Sequence, residues 1–420
     1  MAKPFFYGWI LLGVLWLVFA FNLGFPAYGG PVINNAMADA VGFSRGPLGL
    51  ITTFYIIMSG LPGPLVAMAV RRFGSRNTLI FGSALNVIGA CYMALVADSA
   101  FHAYIGFGLL IGGGVCSGAA IASQTVLSRW FVRRRATAIS ILYSSGAIGG
   151  YIATKFVLPA VIHAHSWRAA WWVIAGLSAL AGVLASIFVK EKPEDVGAIA
   201  DGGEVAATGA QARAKPSFIT ETPIEFRDAA RMPTYWLLVA ALLGGSSAFT
   251  FFLGHGIAML KDLGHPMEVG FGAIATMTWT GLIAKALIIA FGNRFDPRWL
   301  WVFFMLCFGL SMVMLVGADT QLEVDLVAAL LGMGFGGAVV CLMTVLGNYF
   351  GLKAFALLSG IAIAINTTIS AVGPYVAGYL YDIGYPYSGT CYFIAAWSFL
   401  GALILVIIRK PHPQPTTVPA

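Results

Sequence analysis

The sequence predicts an all-α membrane protein with twelve transmembrane helices in two pseudo-symmetric six-helix bundles, and three observations carry that prediction. First, 59% of the 420 residues are hydrophobic and only 10% are charged, which is more apolar surface than one soluble core could bury. Second, the apolar residues form about twelve runs long enough to cross a bilayer as helices. Third, two sequence patterns recur in the two halves of the chain.

Each apolar run is about 20 residues or longer, which is the length that a helix needs to cross the hydrocarbon core. The first run is long, only Lys3 precedes it, and eleven more follow, so we expect it to remain a helix rather than a cleaved signal peptide. The runs lie near residues 7–28, 46–69, 78–97, 103–127, 137–161, 168–189, 234–258, 269–292, 299–317, 324–347, 354–380 and 390–408.

The internal repeat consists of two pairs of matching segments. TVLSRWFVRRRATAIS at 125–140 and TVLGNYFGLKAFALLS at 344–359 both cover the end of the fourth span of a half. RFGSR at 72–76 and RFDPR at 294–298 both follow the second span of a half. Two matches in corresponding loops indicate that a six-span unit was duplicated.

The repeat divides the chain into four predicted regions. Residues 1–189 form the N-terminal bundle and residues 234–409 the C-terminal bundle. Residues 190–233 are charged, rich in small residues and nearly free of large apolar side chains, which is typical of a cytosolic linker. Residues 410–420 form a cytosolic tail.

The basic residues are distributed asymmetrically. If both termini lie in the cytosol, most of the 24 lysines and arginines fall on the cytosolic side, as the positive-inside rule requires. The net charge of +7 therefore indicates orientation in a lipid bilayer, and no nucleic-acid partner is expected.

The segment WFVRRRATAIS at 130–140, together with twelve spans in two related halves, resembles the monocarboxylate transporter family of the major facilitator superfamily. FYGWILLGVLWLVF at 6–19 and HGIAMLKDLG at 255–264 are similar to the first-helix opening and the seventh-helix end of its bacterial members. The signature that opens the fifth helix is matched by Trp130, Phe131, Arg133, Arg134, Arg135, Ala138 and Ser140. The resemblance implies the major facilitator fold, alternating access, and a monomer in the cell (inner) membrane with both termini cytosolic.

Ser140 replaces a usual glycine of the signature, and four further positions depart from the family pattern. Arg71 and Asn293 stand where the loops after the second and eighth spans usually carry an acid, so the acidic contacts to helix termini are expected to be weakened. Lys285 stands where the family usually has the arginine that binds the substrate carboxylate. Gly281 replaces the aspartate that is implicated in proton coupling in animal members, so that function does not carry over.

Two basic residues fall inside predicted spans, and ionisable groups at membrane depth indicate function by default. Lys155 lies near the outer end of the fifth span, where its side chain can reach the interface. Lys285 lies about 16 residues into the eighth span, or roughly 24 Å along a helix. All 17 acidic residues fall in loops or at span ends, so we predict that Lys285 binds the carboxylate of a substrate.

Other polar residues within the spans are predicted to contact a solute, with hydrogen bonding to neighbouring helices as the alternative. His255 is expected to contribute to binding or proton sensing, because imidazole ordinarily changes charge near neutral pH; a bond to a backbone carbonyl is the alternative. The further substrate-binding candidates are Asn22, Tyr28, Gln124, Tyr143 and Asn366. The cytosolic gate or signature is predicted to comprise Arg72, Arg76, Arg133, Arg134, Arg135 and Arg294.

These features predict a secondary transporter of a small organic anion, with a monocarboxylate as the favoured class and a proton or counter-anion as the coupled partner. The sequence has no Walker P-loop, metal-ligand cluster or Ser-His-acid constellation in the spans, so no catalytic residue, metal or cofactor is predicted. Two alternatives stay open. One is an exporter of drug-like or siderophore-like compounds, and the less favoured one is a membrane receptor or enzyme.

Overall fold

The computed structural model describes residues 6–131, 134–199, 224–291 and 296–408. Within these residues every regular element is helical. Eleven helices are long and apolar enough to cross a membrane, or twelve if the bent pair in α2 is one span. The helices are α1 (Tyr7–Val41), α2 (Arg45–Gly60 and Gly63–Phe73), α3 (Ser75–Leu95), α4 (Ala100–Trp130), α5 (Thr137–Ala164), α6 (Trp167–Phe188), α7 (Pro233–Asp262), α8 (Met267–Phe291), α9 (Pro297–Leu315), α10 (Gln321–Phe350), α11 (Leu352–Asp382) and α12 (Tyr387–Ile407).

The fold class predicted from the sequence is confirmed, and the largest differences concern helix length. The helix α1 continues to Val41, well beyond the predicted run, while α10 has 30 residues and α11 has 31. The two pieces of α2 meet at an angle of 40°. Pro62 and Pro64 lie at this bend, where a proline removes a helical hydrogen bond and its ring clashes with the preceding turn.

Four helices contain widened, π-helical segments: Ala20–Gly29 in α1, Tyr104–Ile111 in α4, Ala153–Val157 in α5 and Phe252–Gly256 in α7. Such segments are rare and are frequent at functional sites. The segments of α1, α5 and α7 contain four of the polar residues that the sequence singled out, namely Asn22, Tyr28, Lys155 and His255.

The chain forms two compact units. The first comprises Met1–Gly209, Phe251–Trp279 and Ala371–Pro386, and the second comprises Ala210–Thr250, Thr280–Ser370 and Tyr387–Ala420. The first unit therefore includes segments of α7, α8 and α11 in addition to α1–α6. The division into two six-helix halves stays a prediction. Most of the predicted linker, at 200–223, and the tail from 409 onward lie outside the described residues.

The core of the first unit includes the aromatic residues of the signature. Trp130 and Phe131 are fully buried, and Trp130 Nε1 donates to the Lys190 carbonyl oxygen at 3.0 Å. The rings of Phe6 and Trp9, at the start of α1, lie 5.5 and 5.1 Å from the ring of Phe131. These signature positions thus hold the end of α4 against the start of α1.

Close helix packing in both units depends on glycine. In the first unit, a Cβ at Gly82 of α3 would collide with the backbone of Gly118 in α4. In the second unit, a Cβ at Gly336 of α10 would collide with the carbonyl oxygen of Gly281 in α8. The glycine clusters in α4 and α10 therefore allow backbones to touch, which is the role of small residues at helix interfaces in membranes.

We predict that Gly336→Ala destabilises the protein by about 1–3 kcal/mol, because the added methyl group meets backbone that cannot rotate away. The matched control is Gly360→Ala in α11, where a Cβ has nothing within 4 Å and alanine is the better helix former. Thermal unfolding of the purified variants in detergent measures the difference. Equal melting temperatures for the two variants would contradict the packing described here.

Candidate functional site

Lys285 lies in α8 of the second unit, one helical turn after Gly281. Residues four apart share a face of a helix, so Lys285 continues the face on which Gly281 packs against Gly336 of α10. Lys285 is half-buried. It lies within the last third of α8 (Met267–Phe291), so it belongs to a span, as the sequence indicates.

The ammonium group of Lys285 has no acidic partner among the described residues. The ion pairs found between described residues involve other cations, and their acidic members lie near helix ends or in loops. An isolated cation is costly in apolar surroundings unless it loses its proton or gains an anion. The site can therefore accept an anion.

The second unit contains two further features of interest. The rings of Phe249 in α7 and Phe335 in α10 stack at 3.7 Å with an angle of 7° between their planes. Phe335 directly precedes Gly336, so this aromatic pair lies near the level of the α8–α10 contact; the sequence analysis missed it because one phenylalanine among 30 carries no signal. Asn366 of α11 is buried, and its Oδ1 has no hydrogen-bond partner among the described residues.

Asn22 lies in the first unit and joins three helices. Its Nδ2 donates to Ser83 Oγ in α3 at 2.8 Å and to the Gly118 carbonyl oxygen in α4 at 2.9 Å. Asn86 Nδ2 donates to the backbone oxygen of Asn22 at 3.1 Å. Both amide hydrogens of Asn22 are thus used between helices, which is the alternative that the sequence analysis left open.

The other candidates of the first unit also contact neighbouring helices. Gln124 of α4 donates from Nε2 to the hydroxyl of Tyr143 in α5, and the ring of Tyr143 meets that of Phe19 at 5.2 Å. Tyr28 is buried against Gly150 of α5, where a Cβ would collide with its ring. The structure brings Gln124 and Tyr143 together, and among the described residues no contact joins either of them to Tyr28.

His255 is fully buried in the π-helical segment of α7. Its Nε2 lies 2.7 Å from the carbonyl oxygen of Pro374 in α11, and a carbonyl oxygen can only accept. The geometry therefore assigns a proton to Nε2. Gly49 of α2 leaves room for the imidazole, since a Cβ there would lie 2.7 Å from Nε2.

Pro374 also alters the hydrogen bonding of α11 one turn earlier. Proline has no N–H group, so the carbonyl oxygen of Ser370 loses its helical donor. Thr250 Oγ1 of α7 donates to this oxygen at 3.0 Å. A side chain of a neighbouring helix thus satisfies the backbone group that the proline leaves open.

Arg76 and Arg129 meet an acid that the sequence analysis assigned to the linker. Glu191 Oε1 accepts the backbone N–H of Arg76 at 2.7 Å, and Glu191 Oε2 pairs with Arg129 Nη1 at 2.7 Å. Gly74 has φ +85° and turns the chain between α2 and α3 at this point. Glu191 therefore supplies an acidic contact to the N-terminus of α3. The sequence predicts that this contact is weak, because Arg71 occupies the position that usually carries the acid.

The remaining arginines of the predicted gate are only partly described. Arg72 is exposed and its guanidinium lies 5.3 Å from the ring of Phe73. The Arg134 guanidinium lies 5.9 Å from the ring of Trp9, beside the signature aromatics. Arg133, the side chain of Arg135, and Arg294 lie outside the described residues.

At the end of the first unit that lies opposite the signature loop, charged residues connect helices from both halves of the sequence. Arg45 Nη2 pairs with Asp262 Oδ1 at 2.8 Å, and Lys261 Nζ pairs with Asp39 Oδ2 at 2.6 Å. The carboxylate of Asp382 accepts the backbone N–H groups of Arg45 and the next residue at 3.2 and 2.8 Å. These contacts join α1 and α2 to the ends of α7 and α11, and the sequence analysis did not anticipate them.

Comparison with known proteins gives the family. A sequence profile described as Major Facilitator Superfamily matches residues 14–278 and 256–420. The chain therefore belongs to the Major Facilitator Superfamily, as the resemblance of its spans and signature predicted. The family and the relatives below are transporters rather than enzymes, and this protein is a multi-pass membrane transporter.

Three relatives show the range of similarity. Monocarboxylate transporter 2 of Mesocricetus auratus is 22% identical over 391 residues, which cover 90% of this chain and 78% of that one. The Fujikurins efflux protein of Gibberella fujikuroi is 28% identical over 153 residues, covering 34% of this chain and 30% of that one. The crystal structure of the nucleoside transporter NupG matches with a TM-score of 0.70 at 13% identity, over 94% of this chain and 99% of that one.

We predict that Glu191→Gln lowers the free energy of unfolding by about 1 kcal/mol, since the amide loses the charge that Arg129 meets while the site stays partly exposed. Glu194→Gln is the matched control, because Glu194 is exposed in the same loop. The double variant Arg129→Gln/Glu191→Gln should be no less stable than the worse single variant. Additive losses in thermal unfolding would show that the two residues act separately.

Proposed function

We propose that this protein is a secondary active transporter of a small organic anion, with a monocarboxylate as the favoured class. The observation that carries the proposal is Lys285, a half-buried cation within α8 with no acidic partner among the described residues. The similarity over most of the chain to a protein named Monocarboxylate transporter 2 supports the same class. The protein works as a monomer in the inner membrane, with both termini cytosolic.

Binding of a carboxylate at Lys285 couples occupancy to the transport cycle. The anion neutralises the ammonium and lowers the cost of enclosing it in apolar surroundings. Enclosure of an occupied site then becomes easier than enclosure of an empty one, as alternating access requires. The ion pairs of Arg45 and Lys261 must break whenever the end of the protein that they join opens.

The other predicted residues have supporting roles in this proposal. Asn366 offers an unsatisfied amide oxygen to a donor on the solute, and His255 contributes to binding or proton sensing. Asn22, Tyr28, Gln124 and Tyr143 shape the helices that face the solute. Arg72, Arg76, Arg133, Arg134, Arg135 and Arg294 form the cytosolic gate.

The identity of the coupled ion depends on the step that allows the empty carrier to return. After release of the anion, Lys285 must lose its proton or bind a second anion before the carrier can return. The first route gives proton symport and the second gives anion exchange. Counterflow of labelled lactate, pyruvate, oxalate, malonate and aromatic acids into proteoliposomes, with and without a pH gradient, tests the substrate class and separates the two routes.

We predict that Lys285→Ala reduces carboxylate counterflow by at least about tenfold, because one charge-assisted contact at a desolvated site contributes roughly 1.5–3 kcal/mol. Lys285→Arg retains part of the transport, although a planar guanidinium differs from a point charge. Lys155→Ala is the matched control, since Lys155 is an exposed lysine in α5 to which the proposal gives no binding role. Size-exclusion profiles in detergent confirm that each variant is folded.

Near-normal transport of the best acid by Lys285→Ala would contradict the carboxylate-binding role of this residue. The second candidate, an exporter of drug-like or siderophore-like compounds, would then be favoured. Its support is the local similarity to the Fujikurins efflux protein over 34% of this chain. If the protein is such an exporter, transport does not require the charge of Lys285. The wild-type protein and Lys285→Ala would then transport neutral amphiphiles at equal rates.

A further inference from the structure

A groove of about 430 Å³ lies between α3 and α6 in the first unit. Its lining residues recur every three or four positions, so they form one face of each helix. On α3 they include Ile80, Ser83 and Ala84, and on α6 they include Ser178, Gly182 and Ser186. The walls are apolar except for the serines. Exposed apolar side chains flank the groove on both helices, such as Phe81 and Ile187, so it opens on the surface that faces lipid.

The small side chains of the two helices make the groove. Ala84 and Ala179 are exposed in the groove. A Cβ at Gly182 would lie 3.2 Å from the Cβ of Ser83, which is the floor on which the two helices meet. Ser178 Oγ is buried and has no hydrogen-bond partner among the described residues. The exposed lining of the groove is therefore apolar, which suits an acyl chain.

One end of the groove is cationic. Arg76 lies one turn before Ile80 on the same face of α3, and its guanidinium donates to the carbonyl oxygen of Ser186, a lining residue. A guanidinium has five N–H donors, so this single bond leaves most of them for another acceptor. Lys190 lies just beyond the end of α6 at Phe188, where its carbonyl oxygen accepts from Trp130. The nearby Glu191 carboxylate is already used by Arg129 and by the Arg76 amide.

The apolar walls and the cationic end together indicate which kind of molecule binds in the groove. A helix of a partner protein is 10–12 Å wide with its side chains, so it would lie across the groove and not within it. A free anion would use the cations and leave the apolar walls exposed. An acyl chain fits the walls, and a phosphate beside its end fits Arg76 and Lys190. Basic sites between membrane helices bind anionic head groups in this way.

We propose that the α3–α6 groove is a binding site for an anionic phospholipid, with one acyl chain between the two helices and the phosphate on Arg76 and Lys190. The lipid bridges the N-terminus of α3 and the C-terminus of α6. It thereby reinforces the contacts that Arg76 and Glu191 already make at this end of the first unit. The site does not depend on which solute is transported.

The test is lipid binding to the purified full-length protein in detergent, measured by native mass spectrometry and by the thermal shift on titration. The probes are phosphatidylglycerol and phosphatidylcholine with identical acyl chains, and glycerol phosphate as the free head group. The wild-type protein should bind phosphatidylglycerol more tightly than phosphatidylcholine, and glycerol phosphate should give no shift at the same concentration. A shift with glycerol phosphate equal to that with phosphatidylglycerol would mean that the site binds a soluble anion, which overturns the proposal.

Two pairs of variants test the two parts of the site. Ala84→Phe fills the groove and should abolish the preference, while Ala396→Phe on the exposed face of α12 should not. Lys190→Gln should weaken phosphatidylglycerol binding about fivefold, since one cation near a membrane surface contributes roughly that factor. Lys192→Gln, an exposed lysine two residues further on, is the control.

Arg76→Gln should weaken binding at least as much as Lys190→Gln, and the Lys190 pair decides the outcome if Arg76→Gln does not fold. Unchanged phosphatidylglycerol affinity in Ala84→Phe would overturn the assignment of the acyl chain to this groove. Equal affinities of Lys190→Gln and Lys192→Gln would overturn the assignment of the phosphate to its cationic end.

Discussion

The cost of leaving a polar group without a partner in hydrocarbon governs this structure. No water is available at membrane depth, so backbone and side-chain polar groups must bond within the protein. Asn22 meets the requirement by joining α1, α3 and α4, and the Thr250 hydroxyl meets it at the carbonyl that Pro374 leaves open. The helices stay continuous for up to 35 residues for the same reason.

The same cost determines where the charged residues lie in the structure. The described acids lie near helix ends and in loops, where they pair with cations or cap helices, as Asp382 does at the start of α2 and Glu191 does at the start of α3. Such exposed pairs contribute little stability each. These pairs instead determine which helix ends meet. The membrane-spanning parts of the helices pack through glycine and apolar side chains.

Against this background, satisfied and unsatisfied polar groups suggest different roles. Gln124, Tyr143 and His255 have partners in neighbouring helices, so their bonds stabilise the arrangement of those helices. Lys285 has no acidic partner among the described residues, and the Asn366 amide oxygen has no partner there. Both lie in the second unit. In the proposed function, a substrate carboxylate supplies the acidic partner that Lys285 lacks.

The sequence alone predicted the fold class, about twelve spans and a lysine, Lys285, within one of them. Each of these depends on the composition of a run about 20 residues long, and a bilayer acts on that composition directly. It also indicated the family through the signature that begins at Trp130.

The tertiary structure alone decided which polar groups have partners. The bond of His255 to Pro374 spans 119 positions, and the Glu191–Arg129 pair spans 62. Such contacts depend on how helices are juxtaposed, and no local pattern of residues encodes that geometry.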